Sequence, residues 1–418
     1  MAQLQALVGV IVLPLAAWLM AGAARSPARS AVRIVLAGLG LQFVVAGLLL
    51  LVPGLALVFM ALGTAVAGLQ SATLTGVQFV FGFLAGGPAP YEVTAPHNGF
   101  VLALQALPLI LVVSVLSKLL YHWGILQRVV RALSWVLERS MGVGGALGTA
   151  TAANVFIGMV EAPLLVRPYL AAMSRSDLFA VMTAGMATVA GTVMVIYASL
   201  LDTVLAGAAG HIVIASLISA PAALTVARLM VPPPADNAGN GVAGIALARN
   251  GSVMDAIAEG TSDGLKLLAN VVAMLVVMVA LVALVNLVLG LAPNVFGAAL
   301  TIERLTGWAM APVVWLIGIP WSEAQAAGEL MGIKTVLNEF IAYVKLAASG
   351  DTLSERSRLI MTYSLCGFAN FGSLGIMTGG LIAMCPSRRD DILALGPRTI
   401  VAGTLATLMT GAVVGVLV

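Results

Sequence analysis

The sequence predicts an all-α polytopic membrane protein of about eight transmembrane helices plus two re-entrant helical hairpins. Three observations carry that expectation. First, 61% of the residues are hydrophobic and 9% charged, with a mean hydropathy of +1.08; that is too little charge to coat a soluble globule. Second, windows such as 34–52, 273–291 and 399–418 reach the roughly 18 apolar residues needed to cross a hydrocarbon core about 30 Å thick. Third, two acids, Glu161 and Glu339, sit deep in apolar sequence, and an interrupted span follows each. An acid at the centre of a membrane helix costs roughly 2.5–3.5 kcal/mol even on a forgiving scale, so such groups usually face a cavity, an ion or a ligand.

Taken in order, the spans are expected at 4–22, 33–52, 99–120, 178–200, 209–230, 266–291, 359–384 and 399–417. Residues 1–24 read as a span and not as a cleaved leader, for want of a small-residue cleavage site. Arg25, Arg29 and Arg33 follow the first span; Lys118, Arg128, Arg131 and Arg139 follow the third; Arg388, Arg389 and Arg398 precede the last. The positive-inside rule puts these loops in the cytoplasm and both termini outside. Arg356 and Arg358 strain that assignment, since it places them outside. Residues 54–84 are apolar, uncharged and rich in small residues; parity of the spans favours a helix lying along the interface. Residues 231–250, with Pro232, Pro233, Pro234 and a run of Asn and Gly, read as an exposed loop. The chain divides accordingly into 1–98 (N-terminal spans and interfacial scaffold), 99–230 (first half with a hairpin), 231–265 (cytoplasmic loop and interfacial helix) and 266–418 (second half with a hairpin).

The two halves look related. Each has a polar hairpin-like segment with a deep acid (143–173, 323–348), an interrupted span (178–200, 359–384) and a final apolar span (209–230, 399–417). The interruptions are Thr188-Val-Ala-Gly-Thr192 and Cys366-Gly-Phe-Ala-Asn-Phe-Gly-Ser373. Irregular backbone at membrane depth is tolerated only where protein or a watery cavity surrounds it. Broken elements at matching positions of two halves point to a midplane site in a secondary transporter.

In the first cluster, Asn154-Val-Phe-Ile-Gly-Met-Val-Glu-Ala-Pro163, Gly158 permits a tight turn and Pro163 ends any earlier helix. A hairpin turning there gathers free carbonyls and the Asn154 amide oxygen, hard donors suited to a small alkali cation, and Thr188 offers a hydroxyl. The alternative is that Asn154 and Thr188 only bond a neighbouring helix. In the second cluster, Asn338 and Glu339 present an amide and a carboxylate, Asn370 and Ser373 lie one helical turn apart, and Phe368 lies two residues before Asn370. Such groups suit a polyhydroxylated ligand with a flat ring. Alternatively Glu339 is a structural ion-pair partner of Lys334 or Lys345, and Phe368 and Phe371 are core aromatics, a reading that suits Phe371 better.

On residues 154–169, 255–275, 328–343 and 366–375, the chain resembles a bacterial member of the concentrative nucleoside transporter family. The likeness runs from about residue 100 to the end, with the N-terminal third matched mainly by hydropathy. The resemblance implies a homotrimer of eight-span protomers with an inverted-repeat transport domain, importing nucleosides with a cation. It implies that Glu339 and Asn370 hold the ribose hydroxyls with help from Ser373, and that Phe368 and Val193 flank the base. It also implies that Glu161 addresses the base edge, and that Asn154, the Ile157 carbonyl, Thr188 and the Val189 carbonyl hold sodium. Where the family's first hairpin commonly reads Gly-Gln-Thr-Glu, this chain has Gly158-Met159-Val160-Glu161, so fewer direct hydrogen bonds to the base are expected. Sodium is the preferred coupling ion and a proton the alternative. The implied partners are a nucleoside and membrane lipid, and the implied place is the bacterial inner membrane.

Other classes fit less well. A membrane enzyme would show a nucleophile elbow or a paired-histidine motif, and neither appears. His97, His122 and His211 lack paired ligand spacing, so no transition-metal site and no cofactor is expected. Scattered Lys and Arg give no basic stripe for nucleic acid. Cys366 and Cys385 read as buried small residues. Asp255, Glu259 and Asp263 read as acids favoured near a helix N-terminus.

Overall fold

The computed structural model describes residues 2–51, 55–92, 99–202, 204–233, 251–295 and 297–418. His97 and most of the loop expected at 231–250 lie outside them. Three helices open the chain, α1 (Ala2–Leu19), α2 (Ala28–Leu51) and α3 (Leu55–Phe81). A short α4 (Leu102–Gln105) leads into α5 (Leu109–His122) and then α6 (Ile125–Met141). Helix α6 leaves Arg128, Arg131, Arg139 and Trp135 exposed while burying Leu126, Val130 and Leu137, the two-faced character of an interfacial helix.

The first hairpin is α7 (Gly145–Ile157), a turn at Gly158, then α8 (Glu161–Leu165) and α9 (Arg167–Leu170). The span expected at 178–200 is two helices, α10 (Arg175–Ala187) and α11 (Gly191–Leu201), parted at residues 188–190; α12 (Ala208–Met230) follows. The second half begins with α13 (Val253–Leu289) and α14 (Ile302–Leu316). Its hairpin is α15 (Trp321–Val336) and α16 (Glu339–Ala347). The span expected at 359–384 is again two helices, α17 (Glu355–Leu365) and α18 (Phe371–Met384), and α19 (Arg389–Leu417) ends the chain. Both halves thus run hairpin, broken helix, long helix.

The core lies around α10, α12 and α19, whose middle residues are almost all buried. Small residues let these backbones approach: a Cβ on Gly403 would meet Met186 and Ala369, and one on Gly411 would meet Ser364. Such close approach supplies the dispersion contacts that hold helices together in lipid. The outer faces of α2 and α13 instead expose Val and Leu, including Leu36, Val44, Val276, Leu284 and Leu287.

Eight helices among the described residues are long and apolar enough to cross a membrane. They differ in two places from the expected eight. Residues 64–85 qualify, so length and composition admit a span where loop parity favoured an interfacial helix. The segment 359–384 does not qualify, because residues 366–370 part α17 from α18, a longer break than the one at 188–190, across which 175–201 still counts as one span. Helix α13 also starts 13 residues before its expected span at 266: Ser252 and Asp255 close a capping box, which satisfies the orphan N–H groups there. Arg356 and Arg358, which strained the topology, work inside the fold. Arg356 donates to Gly318 O (2.5 Å) and Gly415 O (2.6 Å), and Arg358 to Gly350 O (2.7 Å). Carbonyls freed at helix ends attract cations, so these two arginines are held by local geometry. Cys366 and Cys385 are buried and free, as expected.

Candidate functional site

Four irregular stretches of backbone converge on one cavity of about 480 Å³. They are the tip of the first hairpin (residues 158–160), the break between α10 and α11, the turn of the second hairpin (337–338), and the break between α17 and α18. Helices α5 and α13 close the opposite wall. Glu161, Val193, Glu339, Phe368, Asn370 and Ser373 all line the cavity. The volume falls in the range of small-molecule sites, about 300–1,000 Å³.

Glu339 is the first residue of α16, 5% exposed. Both carboxylate oxygens are occupied: Oε1 accepts from Tyr197 Oη (2.7 Å) and Oε2 from Asn370 Nδ2 (2.8 Å). Asn370 is itself fixed, since its Oδ1 accepts from Ser373 N (2.7 Å) and caps α18. A buried carboxylate must be hydrogen-bonded to persist, and here the donors come from both broken helices. Neither lysine pairs with it: Lys334 Nζ donates to Ser364 O and Thr407 Oγ1 (both 2.8 Å), and Lys345 is absent from the ion pairs among the described residues. Asn338 is the N-cap of α16, its Oδ1 accepting from Ile341 N (2.9 Å), so its amide oxygen is already committed. Tyr197 was not anticipated. It sits in apolar α11, fully buried, and packs on Tyr343 with ring centroids 4.7 Å apart.

Glu161 has the opposite setting. It opens α8 and is exposed to the cavity. Gly158 turns beneath it at φ +102°, and a Cβ there would meet Glu161 Oε2 at 2.9 Å. The two apolar residues at the tip are wedged sideways: Met159 packs against Gly185 of α10, and Val160 against Gly380 of α18. Asp263, beyond the expected dipole role, pairs with Lys118 across α5 and α13 (2.9 Å), with Glu259 at 3.5 Å. Lys118 and Asp263 line the cavity wall facing Glu161.

Behind the first hairpin tip lie Asn154, Thr188 and Val189, all buried, with Ile157 between them and the cavity. Thr188 Oγ1 lies 3.4 Å from Asn154 O and donates to Ala184 O (2.8 Å). Asn154 Oδ1 and Nδ2 are buried without a hydrogen-bond partner. An unpaired buried amide costs about 1–3 kcal/mol, so its persistence needs an explanation. A sodium ion would accept an oxygen of this kind, and the donors here are all hard oxygens.

Two helical hairpins, two broken helices and, at their meeting point, a largely apolar cavity holding a few fixed polar groups define a secondary transporter. The comparisons give the family. Residues 211–415 match the C-terminal part, and residues 8–84 the N-terminal part, of the Na+ dependent nucleoside transporter models; residues 103–204 match the nucleoside recognition (Gate) model. The chain belongs to the Na+ dependent nucleoside transporter family. It is 36% identical to an uncharacterized transporter of Haemophilus influenzae over 433 residues, covering all of this chain and 98% of the relative. It is 34% identical to Sodium/nucleoside cotransporter 2 of Rattus norvegicus over 405 residues, covering 92% of this chain and 59% of the relative. The fold is similar to CNTnw in an inward-facing substrate-bound state, with TM-score 0.88 and 35% identity over 100% of this chain and 98% of that one. A double mutant of CNTnw in an outward-facing state matches with TM-score 0.88, 35% identity and the same coverage.

Proposed function

We propose that this chain imports nucleosides across a bacterial inner membrane in symport with sodium, by alternating access around the cavity between the hairpin tips. The observation that carries the reading is the pre-set Glu339, held at the junction of a hairpin and a broken helix by donors from Tyr197 and Asn370. A rigid carboxylate at that point accepts both hydroxyls of a vicinal diol, the defining group of a ribose. Asn370 and Ser373 bound the same corner. Phe368 and Val193 offer apolar faces to a flat base. Glu161 reaches the base edge, with Met159 and Val160 supplying apolar wall where polar contacts would otherwise be made.

Sodium is held by Asn154 Oδ1, the Ile157 and Val189 carbonyls and Thr188 Oγ1. Ion and nucleoside share one piece of backbone: Thr188 and Val189 begin the break, and Val193 follows within a turn. An ion that orders the break also sets the base wall, so each ligand raises the affinity for the other. The protomers assemble as a trimer, with the exposed apolar helices α2 and α13 facing lipid or neighbours.

Uptake into proteoliposomes, with sodium and proton gradients imposed separately against a panel of nucleosides, tests this reading. Sodium-driven accumulation of nucleosides is expected. Accumulation driven by protons alone would reassign the ion, and transport indifferent to the ribose diol would sink the sugar assignment.

A further inference from the structure

The internal repeat gives the Asn154 junction a structural counterpart in the other half of the molecule. The long helices α12 and α19 meet at Ser219 Oγ and Thr410 Oγ1, 3.2 Å apart. Three residues earlier on each, a hydroxyl touches the first hairpin helix of its own half. Ser216 Oγ lies 3.5 Å from Val155 O, next to Asn154, while Thr407 Oγ1 accepts from Lys334 Nζ at 2.8 Å. The third side of each junction is the end of the first broken helix. In the first half it is Thr188, whose hydroxyl lies 3.4 Å from Asn154 O; in the second it is Ser364, whose carbonyl accepts from Lys334 Nζ at 2.8 Å.

Asn154 and Lys334 therefore occupy the same junction of hairpin helix, broken helix and long helix, each in the last turn of its hairpin helix. The contents differ. The first junction holds an uncharged amide with both polar atoms unpartnered. The second holds a fully buried ammonium whose two acceptors are neutral, with no carboxylate at ion-pair distance among the described residues. A buried cation held by a carbonyl and a hydroxyl has oxygen surroundings like those of a bound metal ion, with two N–H donations in place of coordination bonds.

We propose that the Lys334 ammonium is a resident cation. It stands in the second half where a sodium ion binds in the first, and it leaves this carrier with a single transported sodium per nucleoside. The inference rests on the sodium-coupled reading above. It assigns Lys334 a positioning role: its charge holds the end of α17 and α19 against the second hairpin, and so holds Asn370 opposite Glu339.

The test uses the full-length chain in proteoliposomes. The charge moved per labelled nucleoside should be about one, and nucleoside affinity should rise with sodium concentration with a logarithmic slope of about one. Lys334→Asn puts the first junction's amide into the second, and the slope should rise toward about two, with sigmoidal sodium activation. A wild-type ratio of two charges overturns the proposal whatever the variant does. So does an assembled Lys334→Asn variant whose sodium slope stays at one. Lys334→Gln provides the same reading if the Asn variant does not assemble. A wild type that accumulates no nucleoside in a sodium gradient would instead overturn the functional reading, and the two failures are distinct.

Discussion

Glu339 accepts from Tyr197 and from Asn370, and this double engagement decides what its amide would do. In Glu339→Gln one oxygen still accepts from Tyr197, but the new NH2 faces the NH2 of Asn370. Turning Asn370 over would remove the oxygen that caps α18 at Ser373 N, and turning the new amide over makes Tyr197 accept where it had donated, so every arrangement gives up the charge and one of the original donations into it. The loss should approach about 3 kcal/mol, the scale of a charged hydrogen bond, or roughly a hundredfold in uptake. Assembly, read by size-exclusion chromatography, should be unchanged; wild-type uptake by the variant would remove Glu339 from the sugar site. Tyr197→Phe takes away one donor and no packing, and should weaken nucleoside binding by about tenfold. The acid was legible in the sequence because a carboxylate in apolar sequence is costly. Tyr197 was not: a lone tyrosine on an apolar helix looks like core, and its partner lies 142 residues away. Asn338 was legible as polar, and it lines the cavity while its oxygen caps α16; the cap could not be told from a ligand amide, because the two have the same sequence signature. Lys334 looked like an ion-pair partner for Glu339, and the fold turned it toward α17 and α19 instead.

At the level of elements, the hairpins and breaks were legible because Gly, Pro and hydroxyl residues interrupt apolar runs that would otherwise be continuous. The boundaries were less so. Helix α13 swallows the segment expected to be separate from its span, since a capping box extends it to Val253; Asp255 holds the first-turn place expected of it, while Glu259 and Asp263 pair with Lys118. Helix α3 could be read either way, as nothing in an uncharged, small-residue segment fixes its depth. The turn of the first hairpin is the element whose geometry is most demanding. Gly158 has φ +102°, a region that costs an L residue about 1–3 kcal/mol, and a Cβ would also press on Glu161 Oε2 at 2.9 Å and Ala190 at 3.1 Å. Gly142, at φ +64°, has nothing within 4 Å of the same position. Gly158→Ala should therefore reduce uptake more than about tenfold by displacing Glu161 and the break at Ala190, at a cost near 1.4 kcal/mol or more. Gly142→Ala, strained but not crowded, should keep most of it. Equal uptake by the two variants would show that the tip does not position the cavity wall.

Across the whole molecule, helix ends from distant parts of the chain are tied together. Gln5 donates to Ile319 O (2.8 Å), and Arg356 joins the carbonyl ends near Gly318 and Gly415. If sodium binds at the proposed Asn154 site, such a frame lets it act there without unfolding the rest, and sodium should be a measurable contributor to stability. Asn154 is the place to read that contribution. With sodium absent, its unpaired amide costs about 1–3 kcal/mol, and Asn154→Leu, close in shape, should remove most of that cost. With sodium present, the wild type gains RT ln(1 + [Na+]/Kd), about 2.7 kcal/mol at a hundredfold excess over Kd, and the variant gains almost none. In a sodium-free choline buffer Asn154→Leu should therefore melt at or above the wild type. Rising sodium should lift the wild-type Tm while the variant stays flat, until the order is level or reversed. Thermal melts of both proteins along a sodium series, at constant ionic strength, give the answer. Parallel sodium shifts in the two would place the ion elsewhere and leave the buried amide without this function.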